Sequence, residues 1–354
     1  MRAARFHGVR DIRVEDVPEP DGELGPTQVL IEPQWCGICG TDLHEYIAGP
    51  IVTPATPHPL NGSVLPQIMG HELAGDVLAV GSEVGDLRVG DRISVMPLAY
   101  CGSCAFCVRG MNHLCTRMAC FGLSDAWGGF ATRGVVERYQ AWRLPDAVSY
   151  EQGALIEPAA VAAYGVSRGN VAPGDRVLVT GGGPIGALTV LAAYAAGAGE
   201  VYLAEPNARR RARAGNLGAA AIYDPSSEDV VARLAEVTDG LGVDVALECS
   251  GSEAGLQTAI GAVRTRGTVA QIGLHVAPAA IDPMRLAERE ISIVGVWAYD
   301  VHEWPRIMAQ IASGRFPVER VVSDRIGLDQ IVSGGFDVLT DPAGDQTKIL
   351  VAPR

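Results

Sequence analysis

Cys101, Cys104, Cys107 and Cys115 stand as C-x2-C-x2-C-x7-C within YCGSCAFCVRGMNHLC. Four thiols in one Gly-containing loop suit the tetrahedral all-sulfur cage of a structural zinc. A disulfide pair would need an oxidising compartment, and the opening MRAARFHGVRDIRVEDV has no apolar core of an export signal. That segment reads as a pair of strands, and the chain is expected to be cytoplasmic with reduced thiols. A closed four-thiolate cage leaves no position for a substrate, so this metal would hold a lobe and do no chemistry. His113 lies among the four but is superfluous to a complete set, and Cys120 and Cys249 read as buried, inert thiols.

A second pattern is TGGGPIG, which supplies Gly181, Gly183 and Gly186 in G-x-G-x-x-G spacing, with Pro184 and Ile185 inside it. Many proteins have Gly-rich turns, but this one directly follows the strand-like RVLV and opens a helix, the context a dinucleotide site requires. The glycines let the backbone approach a pyrophosphate whose charge sits at the helix N-terminus. Glu205, at the end of VYLAE, is spaced to bind a ribose 2′-hydroxyl and would repel the 2′-phosphate of NADP, which favours NAD. Arg209, Arg210 and Arg211 pull the other way if they face that phosphate. Otherwise they form a solvated helix face, with Arg210 placed to stack on the adenine.

Three further segments hold groups able to bind a metal: Cys39 in WCGICGTDLHEY, His71 and Glu72 in MGHELAG, and Glu157 in ALIEPAAVAAYG. Each has a bland alternative, since a lone His is often a satisfied core residue and a Glu before Pro often starts a helix. Cys36 and Cys39 also make C-x-x-C, but no thioredoxin-like unit surrounds them.

The elements that must carry these groups fall into two regions. Up to about residue 155, short runs such as VLIEPQWCG, LAGDVLAVGS, VGDRISVMPL and GGFATRGVVE alternate with Gly/Pro turns, as in an antiparallel, partly barrel-like domain. From Asp175 strands alternate with helices: RVLVTG, a helix from Pro184 to Ala196, VYLAEP, and a helix from Asn207 to Leu217 stopped by Gly218. AAIYD, VDVALECSG, TVAQIGL and ISIVGVW follow. Six strands with helical crossovers make a doubly wound parallel α/β sheet of the dinucleotide-binding kind. After Trp297, a helix around His302 to Ser313 and the strand KILVAP return to the first domain. The domains are therefore expected at 1–156 with 297–354, and at 157–296.

The 354 residues suit two such domains, and the 43 glycines agree with many tight turns. A net charge of −13 speaks against nucleic acid or an anionic membrane as partner. The longest apolar stretch, Ile185 to Gly199, is too short to span a membrane. Lys348 is the only lysine.

Taken in order, G-I-C-G-T-D, G-H-E, the four-Cys loop, E-P and G-G-G-P-I-G resemble the zinc-dependent medium-chain alcohol and polyol dehydrogenases over essentially the whole chain. The resemblance is closest to the 2,3-butanediol branch, where CGICGTDLHEY is followed by GPI, a Pro-rich insert and HPL-x-G, here GPIVTPATPHPLNG. It implies a GroES-like, mostly antiparallel catalytic domain beside a six-stranded Rossmann domain, two zinc ions per chain, and a homodimer or homotetramer. It places Cys39, His71 and Glu157 around a catalytic zinc, with Glu72 as an alternating ligand or a neighbour of the ligands. Alcohol dehydrogenases with a second Cys at the position of Glu157 form a separate branch.

The resemblance further implies that a secondary alcohol is acidified by the zinc and yields a hydride to the nicotinamide. Thr41 would take the proton and pass it through the cofactor ribose to His44, whose ordinary pKa suits that exit. The backbones of Ile272, Gly273 and Leu274 and of Val296, Trp297 and Ala298 would contact the cofactor. Tyr46, Trp127, Trp297 and Tyr299 would line the substrate pocket or simply fill the core. Ala298 stands where polyol-binding relatives have an arginine, which favours a smaller diol. The expected activity is hydride transfer between a secondary alcohol or vicinal diol, such as 2,3-butanediol, and NAD. Sorbitol-like polyol or L-threonine 3-dehydrogenase activity is the alternative. A non-catalytic nucleotide-binding or structural relative would lack metal ligands or relay residues, and here all are present.

Overall fold

The computed structural model describes residues 1–20, 23–341 and 344–354. The chain forms two compact units, one of Met1–Glu157, Asp300–Ala312 and Val322–Arg354, the other of Pro158–Tyr299 and Ser313–Val321. The segment Ser313–Val321 joins the second unit because its turn Val318–Val321, with Val318 and Val321 buried, packs on the helix Pro184–Ala196.

In the first unit a seven-stranded sheet runs in the order Ala141–Arg143, Arg92–Val95, Glu72–Val80, Gln28–Gly37, Lys348–Ala352, Val322–Gly327, with Gly134–Glu137 also paired to Gln28–Gly37. Pairing is antiparallel except between the last two strands. Val29, Ile31 and Pro33 of the central strand are buried, which is the period-two burial of a strand with one core face. Pro33 sits in this central strand, where a ladder donor is lost, and the register shifts between Pro33 and Trp35 to absorb it. A separate three-stranded sheet joins the expected opening pair, Arg2–Gly8 and Asp11–Asp16, to Gln67–Ile68.

Register does the positioning. Gly37 lies opposite Glu72 on one side and Leu350 on the other, and the Ile38 N–H donates to the Ile349 carbonyl at 3.0 Å. The end of the central strand is thus held between the starts of two others. Two residues on, Cys39 caps a helix, Gly40–Ala48.

The second unit is a six-stranded parallel sheet in the order Ala221–Tyr223, Glu200–Ala204, Arg176–Thr180, Val243–Glu248, Val263–Gln271, Ser292–Gly295. The central strands read as continuous apolar runs because helices cover both faces. The helix Pro184–Ala196 is buried from Gly186 to Ala193, and Ala208–Ala214 continues as a 3-10 turn to Leu217 before Gly218. Strand order reverses on either side of Arg176–Thr180, so a topological switch point lies at its C-terminal end.

A lobe of the first unit grows from the short pair Leu98–Ala99 and Ala119–Cys120. The sulfurs of Cys101, Cys104, Cys107 and Cys115 lie within 4.8 Å of one another. Backbone N–H groups aim at them, Cys104 N to Cys101 Sγ at 3.3 Å and both Cys101 N and Arg117 N to Cys115 Sγ at 3.4 Å. Hydrogen bonds from the Ser103 region bring Cys101 down to about 5, and those from Cys107 and Thr116 bring Cys104 down to about 7, while burial pushes Cys107 up to about 12. Donors aimed at sulfur favour thiolates, the form zinc binds, and the four together make a closed zinc site. Phe106, Val108 and Leu114 of the lobe are exposed, so little apolar burial supports it and the metal must act as its cross-link. Cys104→Ser is expected to lose about one zinc per chain in elemental analysis. Its melting temperature should fall by about 5 °C or more, at roughly 2–4 °C per kcal/mol for domains of this size.

Candidate functional site

The ligand atoms of Cys39, His71 and Glu72 lie within 4.8 Å of one another. The strand register explains the meeting: Gly37 faces Glu72, so the residues just beyond the first and just before the second come together. Cys39 opens the helix Gly40–Ala48, and its N–H donates to Asp42 Oδ2 at 2.9 Å. Asp42 Oδ1 then faces His71 Nδ1 at 3.5 Å, both groups being buried, and among the described residues neither atom has another hydrogen-bond partner. Burial opposes charge on His71, yet the Asp42 carboxylate and the Cys39 thiol outweigh it and hold its pKa well above the usual value. An imidazole with one nitrogen on a carboxylate and the other beside a thiol is the arrangement of a metal ligand oriented from behind. A thiolate, an imidazole and a carboxylate fit zinc with a position to spare.

Glu157 is buried in the first turn of the helix Ile156–Arg168 and lies outside the 4.8 Å group. Glu72 is inside it, but both of its oxygens accept from Lys348 Nζ at 2.7 Å. Thr41 Oγ1 is 3.8 Å from Cys39 Sγ, and His44, one helical turn on, is exposed. Cys120 is buried and its thiol is pushed up to about 12; Cys249 is half-buried rather than buried, although desolvation pushes its thiol up to about 12 as well. Asp42 was not singled out from the sequence, and Lys348 was noted only as the one lysine, with no place at the site. The Asp three residues after Cys39, completing a capping box, was an available signal for the first; nothing local marks the second.

The candidate dinucleotide residues lie in the second unit. Gly181 has φ 94°, a left-handed conformation that glycine adopts freely, and a Cβ there would meet Ser250 at 2.9 Å. A Cβ on Gly186 would stand 1.8 Å from the Gly181 carbonyl oxygen, so only glycine lets the turn close on its helix. Gly183 caps that helix, with Pro184 as its first residue and Ile185 next. Glu205 is buried and accepts from Gly182 N at 2.5 Å and Asn207 N at 2.7 Å. Asn207 caps the next helix at the N–H groups of Arg209 and Arg210. Arg211 is spent on Asp224 and on the carbonyls of Glu205 and Pro206, whereas Arg210 Nε is buried with no hydrogen-bond partner among the described residues.

Ile272, Gly273 and Val296 are buried at the ends of their strands, Leu274 and Trp297 are half exposed, and Ala298 takes a positive φ of 48°. A further carboxylate, missed from the sequence, ties the end of the neighbouring strand Val243–Glu248 to the segment that follows Val263–Gln271. Glu248 is fully buried, and its Oε1 accepts from Ser250 N at 2.7 Å and Gly251 N at 2.9 Å. Its Oε2 meets His275 Nε2 at 3.1 Å.

Comparison with known proteins agrees with both units. Residues 25–146 match the alcohol dehydrogenase GroES-like domain, and residues 184–313 match the zinc-binding dehydrogenase family. The chain is 40% identical to (R,R)-butanediol dehydrogenase of Bacillus subtilis (strain 168), with 100% of both chains covered. It is similar to the crystal structure of 2R,3R-butanediol dehydrogenase from Bacillus subtilis, with a TM-score of 0.92, 39% identity, and 100% of this chain and 99% of that one covered. It is also similar to a zinc-binding dehydrogenase from Sinorhizobium meliloti 1021 bound to NADP, with a TM-score of 0.88, 34% identity and 99% of each chain covered. With its four-cysteine and Cys/His/Glu zinc sites and its dinucleotide fold, the chain belongs to the zinc-binding medium-chain dehydrogenases, oxidoreductases that work with NAD(P).

Proposed function

We propose that this enzyme interconverts a small vicinal diol of the 2,3-butanediol kind and its hydroxyketone, with NAD as the hydride carrier. The observation that carries the reading is the meeting of Cys39, His71 and Glu72, their ligand atoms within 4.8 Å of one another, in a chain similar over its full length to (R,R)-butanediol dehydrogenase. Zinc bound there supplies a Lewis acid that makes a secondary hydroxyl more acidic, and a bound nicotinamide supplies the hydride acceptor. The protein's part is to hold and discharge. Asp42 fixes the His71 ring, and Glu157 supplies the carboxylate whose charge, with that of the Cys39 thiolate, matches a divalent ion. Thr41 takes the hydroxyl proton, and the exposed His44 gives it to solvent. The diol thus loses one hydride and one proton and becomes the hydroxyketone. Ala298 leaves room where a longer, more polar substrate would want a cation.

For the cofactor, Gly181, Gly183, Pro184, Ile185 and Gly186 form the pyrophosphate turn, and Glu205 receives the ribose hydroxyls, with Arg210 beside the adenine. The segments 272–274 and 296–298 border the nicotinamide. NAD is favoured because Arg211 is already paired and the Glu205 carboxylate would repel a 2′-phosphate. The protein assembles as a homo-oligomer through its parallel sheet. Ser292–Gly295 is an edge strand, and Leu274, Val276, Met284 and Trp297 near it are exposed. A second copy adding its own edge would satisfy both.

Reduction of NAD should be fastest with one stereoisomer of 2,3-butanediol in a panel that also holds sorbitol, xylitol and threonine; faster turnover of a polyol or of threonine would displace the diol reading. Glu205→Ser should narrow the preference for NAD over NADP, measured as the ratio of kcat/KM values, by about tenfold, near 1.4 kcal/mol. Ile293→Pro removes an outward-facing edge donor, since the Val296 N–H bonds inward to the Gln271 carbonyl and donors alternate along the strand, and it should reduce the mass in light scattering to that of one chain.

A further inference from the structure

The chain's one lysine is placed where lysines are rarest. Lys348 is 1% exposed, and its Nζ donates to Glu72 Oε1 and Oε2, each at 2.7 Å, and to the Ile38 carbonyl at 2.9 Å. Three acceptors account for the three protons of an ammonium. Glu72 is wholly buried, and its Oε2 presses on the backbone so closely that a Cβ on Gly37 would stand 2.1 Å away. The carboxylate is therefore gripped at both oxygens and closed in from behind.

That grip matters because Glu72 directly follows His71 and brings a ligand atom into the group that can hold a metal. A zinc ion bound by one thiolate, one imidazole and one carboxylate is charge-balanced and keeps an open position. A second mobile carboxylate would fill that position. We propose that Lys348 is a positioning residue of the Cys39–His71 centre: by holding both oxygens of Glu72 it keeps this carboxylate off the metal and the substrate position open. The ion pair also cancels the charge of Glu72, so the ion's balancing carboxylate is left to Glu157. This rests on the reading of Cys39 and His71 as ligands of a catalytic zinc.

Cobalt(II) exchanged into this centre of the full-length enzyme reports coordination through its visible absorption, and its transfer to a chelator reports affinity. Glu72→Gln should show the wild-type spectrum, since Glu72 is not a ligand while Lys348 is present. Lys348→Met frees the carboxylate to enter the coordination sphere. The ion stays four-coordinate but exchanges a neutral solvent ligand for a carboxylate, so its visible band should shift in position and shape, and cobalt should leave more slowly, by about tenfold or more, the scale on which groups behind metal ligands act. Turnover should fall at the same time. Loss of mere structural support would instead loosen the metal. The double variant Lys348→Met/Glu72→Gln should recover the wild-type band. A changed spectrum in Glu72→Gln overturns the proposal, as does faster release or an unaltered band in Lys348→Met. If Lys348→Met does not fold, Glu72→Gln decides alone. Wild-type enzyme that binds only the metal of the four-cysteine lobe would instead overturn the catalytic-zinc reading on which the proposal rests.

Discussion

The pairing of Gln28–Gly37 with Glu72–Val80 on one side and Lys348–Ala352 on the other is the constraint on which the metal centre depends. A slip of one residue would turn Val29, Ile31 and Cys36 out of the core, so the register is held by burial. Once it is held, Cys39, His71, Glu72 and Lys348 have no freedom to be elsewhere. The helix from Gly40 then carries Asp42, Thr41 and His44 at fixed angles from the same start. One stretch of sheet therefore sets the ligands, the group that orients the imidazole and the proposed proton path.

Buried carboxylates recur as the pins of this structure. Asp42 accepts from the N–H of Cys39, Glu205 from Gly182 and Asn207, and Glu248 from Ser250 and Gly251. Glu45, wholly buried one residue after His44, accepts from the N–H groups of Ile51, Val52 and Thr53 and from the Thr53 hydroxyl. A carboxylate can meet several backbone donors at once, and charge-assisted bonds of this kind are stronger than neutral ones. Each of these four fixes a turn next to a residue expected to touch metal, substrate or cofactor. The strongly acidic composition is thus partly internal and structural.

What could be read from the sequence was local. The four-cysteine lobe and the glycine turn declare themselves because their members lie within 15 and 6 residues and the chemistry dictates the spacing. The six parallel strands were legible from apolar runs alternating with helical segments. Cys39 and His71, by contrast, were joined only by resemblance, since their meeting depends on strand register. Lys348 and Glu72 are 276 positions apart, and a lysine at the head of KILVAP carries no sign that its ammonium is buried. The tripeptide RRR looked like one feature, but folding separates it: Arg211 is taken by Asp224, while Arg210 keeps a buried nitrogen with no hydrogen-bond partner among the described residues. Such commitments are made by tertiary neighbours.

The isolation of Lys348 also has a practical side. Reagents aimed at lysine amines, whether for dye labelling, cross-linking or attachment to an activated support, find a single target in this chain, and it is shut inside the first unit. Surface attachment could instead use the exposed members of the 41 carboxylates or arginine-directed chemistry. Conversely, any lysine introduced by design on the exterior would be the sole accessible side-chain amine, giving a one-site handle whose modification leaves the buried ammonium untouched.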